Sequence, residues 1–330
     1  MSNTSIQRIA VFTSGGDAPG MNAAIRAVVR TASYHHLDVF GIYRGYQGLI
    51  EGDMEKMGSS DVGNIMHRGG TVLKTARSKE FMTPEGRQLA YQSLLKHQID
   101  ACVAIGGNGT FTGAKLFTEE FNIPIIGVPG TIDNDLYGSD FTIGFDTAIN
   151  TAMEAADKIR DTADSHNRLF FVEVMGRHSG FIAVHSGIGS GAGGVMIPEV
   201  GNSLEQLFNS LEQGENERRK KKFSLIIVAE GNKMGGATEI ARLVKEKYTQ
   251  YDTKVTIIGH LQRGGSPTCS DRVLASRLGH ASVEALIAGQ SGVMVGIVDN
   301  KIQYTPFEEA IYKEKPINKD LLHLAEVLSL

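Results

Sequence analysis

A Gly-Thr-Ile-Asp-Asn-Asp run at 130–135 follows directly on the apolar stretch 123–129 and places two carboxylates and a hydroxyl on one short loop. Asp133 and Asp135 are two residues apart, so in an extended backbone both side chains leave the same face, beyond the C-terminal end of a buried strand. One carboxylate placed there can take a proton and the other can hold a metal ion. Asp and Asn equally suit an ordinary solvated turn. What favours chemistry is that two glycine-rich loops upstream also follow strand-like runs. Ser-Gly-Gly-Asp-Ala-Pro-Gly at 14–20 lies between an apolar run at 9–13 and a helical pattern with apolar residues at Met21, Ile25, Val28, Val29 and Ala32. Gly-Gly-Asn-Gly-Thr at 106–110 follows the apolar run 101–105 and opens another predicted helix. Without Cβ atoms the backbone of such loops can approach a phosphate, and the helix N-terminus behind it offers N–H groups and partial positive charge. Neither loop has the G-x-G-x-x-G or GxxxxGK[ST] spacing, so neither a dinucleotide fold nor a P-loop is indicated. One Gly-Gly turn alone is commonly punctuation. Two of them beside an acidic loop point to a phosphate and metal site.

The elements that must position these loops follow from the periodicity. Predicted strands at 169–174, 195–197, 223–229 and 255–258 alternate with helical stretches around 147–163, 203–212, 236–249 and 270–289, the pattern of parallel α/β sheets. A chain of 330 residues accommodates about two domains at ~100–200 residues each. A net charge of −4 and a pI near 6.2 give no global attraction to nucleic acid or anionic lipid, so anionic substrates require local basic residues. The polar segment 1–8 lacks an apolar signal core, and no apolar run approaches the about 20 residues of a membrane span, which leads us to expect a cytoplasmic protein with no membrane or nucleic-acid partner. Cys102 in an apolar strand and Cys269 in a polar loop suggest neither a disulfide framework nor a zinc site. No internal repeat or low-complexity linker is present, and residues 144–146, between the acidic loop and a long predicted helix, are a candidate crossing point between domains.

The motifs SGGDAPGMNAAIR (14–26), RGGT (68–71), GGNGT (106–110), PGTIDND (129–135), IGFDTA (143–148), DSHNR (164–168), VEVMGRHSG (172–180), PEV (198–200) and GHLQRGGSP (259–267) together resemble bacterial ATP-dependent 6-phosphofructokinase, in order and spacing across nearly the whole chain. That family phosphorylates fructose 6-phosphate on its 1-hydroxyl in glycolysis, using MgATP. The resemblance implies two α/β domains with mainly parallel sheets sandwiched by helices. It implies a larger ATP-binding domain at 1–144 and 262–312, and a smaller sugar-phosphate domain at 145–261 and 313–330. It also implies a cytoplasmic homotetramer under allosteric control.

Site residues carried over by the resemblance are Asp133 as the base toward the sugar 1-hydroxyl, Thr131 beside the transferring phosphate, Arg177 near both, and Arg77 bridging the nucleotide phosphates and the reacting centre. Gly16, Tyr46, Arg77, Ser78, Gly107, Asn108, Gly109, Thr110 and Gly113 are implied for ATP. Arg168, Met175, Gly176, Glu230, Lys254, His260 and Arg263 join Thr131, Asp133 and Arg177 for the sugar phosphate; guanidinium groups suit a phosphate dianion by forked hydrogen bonding. In the family the residues at 168 and 254 reach across a subunit interface.

Departures from the family pattern qualify the carry-over. Asn108 stands where the family usually has an aspartate associated with Mg²⁺; an amide oxygen can coordinate the ion but carries no charge, so Asp135 or Asp17 must supply most of the protein's negative charge to the metal. Lys254 replaces an arginine, keeping charge and losing the fork, and Met82 replaces a basic residue near the nucleotide. Arg26, Arg30, Arg160, Arg219 and Lys221 match part of the family's effector site, whereas Gly193 and Ser59 stand where it has a glutamate and an arginine. Two alternatives stay open. A pyrophosphate-dependent enzyme would carry aspartate at 109 and lysine at 130, both glycine here, and a noncatalytic sugar-phosphate or nucleotide sensor would not need a base at Asp133.

Overall fold

The computed structural model describes residues 6–166, 168–201, 203–216 and 225–329. In chain order the elements are β1 (Arg8–Thr13), α1 (Met21–Tyr34), β2 (Asp38–Ile42), α2 (Gly45–Glu51), β3 (Met54–Met57), α3 (Pro84–His97), β4 (Ala101–Gly106), α4 (Asn108–Phe121), β5 (Ile125–Pro129), α5 (Phe145–His166), β6 (Arg168–Val174), α6 (Phe181–Gly189), β7 (Gly194–Met196), α7 (Ser203–Asn216), β8 (Leu225–Ala229), α8 (Ala237–Lys247), β9 (Asp252–Ile257), α9 (Cys269–Ile287), β10 (Val293–Val298), β11 (Lys301–Pro306), α10 (Phe307–Tyr312) and α11 (Lys319–Leu328). Short 3₁₀ turns occupy Glu80–Met82 and Gly259–Arg263.

The chain divides into two compact units. Met1–Thr131, Leu136–Thr147 and Arg263–Lys315 form the first; Ile132–Asp135, Ala148–Gln262 and Pro316–Leu330 form the second. The first unit is built on a seven-stranded sheet in the order β11-β10-β5-β4-β1-β2-β3. The pairs β2–β1, β1–β4, β4–β5 and β5–β10 are parallel, and only the outermost pairs, β2–β3 and β10–β11, are antiparallel. β4 and β5 are buried at every position and β1 at all but its first, as expected of strands covered on both faces. Ala10, Phe12, Cys102 and Ala104 pack with side chains of α2, α3, α4 and α10 in one cluster; by strand alternation the intervening residues face the layer in which α1 packs along α9. The edge strands β3 and β11 carry Glu55, Lys56, Lys301 and Gln303, which discourage further pairing.

The helices start where their sequences supply caps. Thr83 accepts from Gly86 N at 3.1 Å with Pro84 as the first helical residue of α3, and Thr268 accepts from Asp271 N at 3.2 Å at the start of α9. Asp271 then caps a second helix. Its carboxylate accepts from Gly144 N and Thr147 N at 2.8 Å each and from Thr147 Oγ1 at 2.5 Å, binding the first turn of α5 to α9. Burial raises the Asp271 pKa while these donors oppose the rise.

The second unit holds a fully parallel four-stranded sheet, β7-β8-β6-β9. Leu169, Phe171, Ile226 and Val228 pack against Leu207 and Leu211 of α7 and Ile240 and Val244 of α8. The predicted strands 195–197 and 255–258 are observed at Gly194–Met196 and Asp252–Ile257, and that at 223–229 at Leu225–Ala229, with 223 and 224 outside the described residues. No helix among the described residues is long and apolar enough to cross a membrane.

Both cysteines are free. Cys102 is wholly buried in β4, where desolvation pushes its thiol up to about 12, whereas Cys269 is exposed. A thiol reagent at pH 8 should therefore titrate one cysteine in the folded protein and two in denaturant; rapid modification of both without denaturant would show that β4 opens.

Candidate active site

Parallel order brings the loops of the first unit to one end of its sheet. The segments that follow β1, β4 and β5 all leave the carboxyl ends of neighbouring parallel strands, where α/β sheets bind ligands. Ser14 N donates to Ile105 O at 3.0 Å and Thr110 Oγ1 to Ser14 O at 3.1 Å, tying the first glycine loop to the second. A Cβ on Gly106 would lie 2.2 Å from Thr110 Oγ1, so this contact requires glycine. A Cβ on Gly107 would stand 3.7 Å from Thr131 Cβ, so the threonine of the acidic loop faces the residue before α4. The Oδ1 of Asn108 is buried without a hydrogen-bond partner. At Gly109, in contrast, an added Cβ would meet nothing within 4 Å.

The segment carrying Arg77 and Ser78 is held from beneath. Asn22, buried in α1, donates to Arg68 O at 3.0 Å and accepts from Val72 N at 2.8 Å. Thr13 Oγ1 lies 2.9 Å from Thr71 Oγ1 and donates to Lys74 O at 2.8 Å, and Thr75 Oγ1 donates to Gly15 O at 2.7 Å. Arg77 is exposed at the end of this segment. Tyr46 is buried and donates to Thr110 O at 2.6 Å; burial raises its pKa. The Tyr46 ring fills the space at Gly113, where a Cβ would come within 2.9 Å of it. Arg263 packs on the first glycine loop, donating to Asp17 O at 3.1 Å, and its Nη1 lies 2.5 Å from where a Cβ on Gly16 would be. Asp17 itself points its carboxylate toward Gly70, whose Cβ position is 3.8 Å from Oδ2.

The acidic loop corrects one expectation. Asn134 has φ 53, a left-handed conformation, so the backbone is not extended and Asp133 and Asp135 do not share a face by strand alternation. Asparagine tolerates this region better than most residues, which is the physical reason it stands there. Asp133 is buried, with 6 % of its surface exposed, and Asp135 is half-buried. In the first unit the carbonyl of Thr131 accepts from Thr142 Oγ1 at 2.6 Å; in the second the carbonyl of Asp133 accepts from Ser179 Oγ at 3.0 Å, and the same hydroxyl lies 2.9 Å from Gly176 O. Gly130 is constrained by packing, since a Cβ there would approach Ile105 and Met21 at 2.9 and 3.0 Å.

In the second unit Met175, Gly176, Arg177, Glu230 and His260 follow the carboxyl ends of β6, β8 and β9. Glu230 Oε1 accepts from Arg177 N at 2.7 Å and Gly176 N at 3.3 Å, which holds Arg177 at φ 56 with its side chain exposed. Gln262, wholly buried, accepts from Met175 N at 2.8 Å. Arg168 and Lys254 do not join this group. They sit toward the opposite end of the strands, with Arg168 seven residues before Met175, roughly 23 Å at the strand rise. There both donate to Asp252, Arg168 Nε at 2.9 Å and Lys254 Nζ at 2.7 Å, and these bonds, that of Lys254 first, lower the Asp252 pKa.

Of the expected effector residues, Arg26 and Arg30 lie one turn apart on α1, and Arg160 donates to the carbonyls of Ser190 and Gly191 after α6. Arg219 and Lys221 lie outside the described residues. Thr142, Ser179, Gln262 and Asn22 are the positioning residues that motif reading leaves unassigned. Three of them fall inside quoted motifs, yet their role is a hydrogen bond to distant backbone, for which a sequence carries no signal.

The sequence model of the Phosphofructokinase family matches residues 8–286. The chain is 57% identical over 324 residues to the ATP-dependent 6-phosphofructokinase of Cytophaga hutchinsonii, covering 98% of each, and 56% identical over 325 residues to ATP-dependent 6-phosphofructokinase 1 of Thermus thermophilus, covering 98% of this chain and all of that one. Among solved structures it superposes on phosphofructokinase from Saccharomyces cerevisiae with a TM-score of 0.87 at 38% identity, covering 98% of this chain and about half, 48%, of the yeast chain. A pyrophosphate-dependent phosphofructokinase from Marinobacter aquaeolei shares the fold at a TM-score of 0.82 and 24% identity. With two α/β units, glycine loops at the carboxyl ends of parallel strands and these relatives along almost its full length, the chain belongs to the phosphofructokinase family.

Proposed function

We propose that the protein is an ATP-dependent 6-phosphofructokinase, transferring the γ-phosphoryl group of MgATP to the 1-hydroxyl of fructose 6-phosphate. The observation that carries this reading is that Thr131, two residues before the buried Asp133, faces Gly107 at the start of α4, where an added Cβ would stand 3.7 Å from its own Cβ. A phosphate cradle and a base are thereby carried on one short loop. Phosphoryl transfer needs positioning, neutralisation of the spreading charge and an acceptor for the hydroxyl proton. Asp133 takes that proton as the hydroxyl oxygen bonds to the γ-phosphorus and the bond to the departing ADP oxygen breaks. The N-terminus of α4, Thr131, Arg77 and Arg177 stabilise the charge on the transferring group.

Among the described residues no three or more His, Cys, Asp or Glu side chains cluster as a metal site. The donors instead suit Mg²⁺ carried in on the nucleotide, which takes one or two carboxylates, phosphate oxygens and water. Asp135 or Asp17 is the carboxylate that would serve it, and the orphaned Asn108 Oδ1 is an amide oxygen suited to the ion or to its water. Bound there, the ion neutralises phosphate charge.

Placement of Arg168 and Lys254 away from Met175, Glu230 and His260 supports a sugar-phosphate site completed by a second copy of the chain. β9 is an edge strand that exposes Val255 and Ile257, consistent with self-association, and a homotetramer is the assembly we expect.

A coupled assay should show fructose 1,6-bisphosphate formed from ATP, with pyrophosphate use negligible. The open space at Gly109 leaves room for the nucleotide, and a lysine at 130 would collide with Ile105 and Met21. Faster turnover with pyrophosphate would overturn the choice of donor. Asp133→Ser should lower kcat by at least ~10²-fold, the scale of general-base loss, with ATP binding nearly unchanged by calorimetry; near-normal turnover would remove Asp133 from the role of base.

A further inference from the structure

Arg87, on α3, lies outside every motif of the site and is only 5 % exposed. Its guanidinium forks onto Glu120 of α4, Nε to Oε2 and Nη2 to Oε1 at 2.6 Å each. The remaining nitrogen, Nη1, donates to the carbonyls of Phe81 at 3.2 Å and Met82 at 2.9 Å. Those carbonyls belong to the turn Glu80–Met82, which begins just after Ser78, and Ser78 Oγ accepts from Phe81 N at 3.2 Å. The Phe81 ring stacks on Tyr46 with centroids 3.9 Å apart and planes at 20°. Tyr46 in turn bonds Thr110 O and fills the space beside Gly113. One chain of contacts, all inside the first unit, thus runs from Glu120 through Arg87 and the 80–82 turn to four residues assigned to the nucleotide.

We infer that Arg87 and Glu120 form the positioning pair of the nucleotide site, clamping the 80–82 turn to α4 and thereby setting Ser78 and Tyr46 against the 107–113 segment; the inference rests on the assignment of those residues to ATP. Only an arginine can do this from one buried position. Its planar group satisfies a carboxylate with two parallel bonds and still directs a third nitrogen at two carbonyls, whereas a lysine ammonium cannot hold that fixed fork. Glu120 remains partly exposed, and an ion pair open to solvent on one side contributes little net stability, so its use here is better explained by the geometry it imposes on the turn. Side-chain hydrogen bonding to Glu120 also keeps the guanidinium pKa raised, so Arg87 stays charged. The turn is held through its main chain, and the Met82 side chain is left 80% exposed.

Steady-state kinetics with both substrates varied, for Arg87→Lys and Glu120→Gln, tests the pair, with melting temperatures measured alongside. A misplaced binding loop removes uniform binding of one substrate, so each variant should raise KM for ATP about tenfold and leave kcat and KM for fructose 6-phosphate within about twofold. The combined variant should be no worse than either alone, because the two residues act as one unit. A fall in kcat with both KM values moved alike or not at all, tracking a lower melting temperature, would mean that the pair only stabilises the fold and would overturn the inference. If Arg87→Lys does not fold, Glu120→Gln carries the test. Arg77→Ala separates the two levels: weakened ATP use in that variant, with both pair variants normal, overturns the positioning role and keeps the nucleotide site. Unchanged ATP use in all three overturns the site assignment as well.

Discussion

The account depends on how six residues after β5 are held. Each compact unit fixes one carbonyl of the loop with a buried or nearly buried hydroxyl, Thr142 on Thr131 and Ser179 on Asp133, and the left-handed Asn134 turns the chain immediately afterwards. A carboxylate buried on a loop with free backbone rotation would be a poor base, because its lone pairs would not stay aimed at one proton. Two carbonyl anchors only two residues apart remove that freedom. Gly106 then admits the Thr110 hydroxyl and the Ser14 carbonyl beside the start of α4, and Thr131 faces Gly107 next to it; in the proposed function, phosphate cradle and base are carried on this short stretch of chain. In the first unit β4 and β5, wholly buried, supply the base from which the loop leaves.

What a sequence can disclose here is local. Apolar runs such as 101–105 predict β4, and glycine turns predict the loops. The order of motifs is informative enough to name a family, which the relatives at 57% and 56% identity bear out. Strand alternation misleads at 133–135, because the left-handed turn at Asn134 depends on anchors far away in the chain. Arg87 looks like a surface arginine on α3 until α4 brings Glu120, 33 residues on, against it. The polar edge strands β3 and β11 are likewise invisible, since their pairing rather than their hydrophobicity makes them strands.

The departures from the family pattern have separable physical consequences. Asn108 keeps an oxygen donor in place, buried and without a hydrogen-bond partner, but contributes no charge, so an ion held there relies on carboxylates and nucleotide phosphates. Lys254 shares Asp252 with Arg168, and a carboxylate between two cations offsets their mutual repulsion. Gly109 and Gly130 are both glycine for different reasons. The first faces open space, where only a ligand would be obstructed, and the second is packed against Ile105 and Met21.

A carboxylate at position 133 could in principle act as a nucleophile and carry the phosphoryl group itself, rather than accept a proton. The measurement that separates these is the stereochemical course at phosphorus, followed with ATP made chiral at the γ-phosphate by oxygen isotopes. A single in-line transfer to the sugar hydroxyl with Asp133 as base predicts inversion of configuration. Retention would require two displacements through a phosphorylated enzyme and would contradict the account.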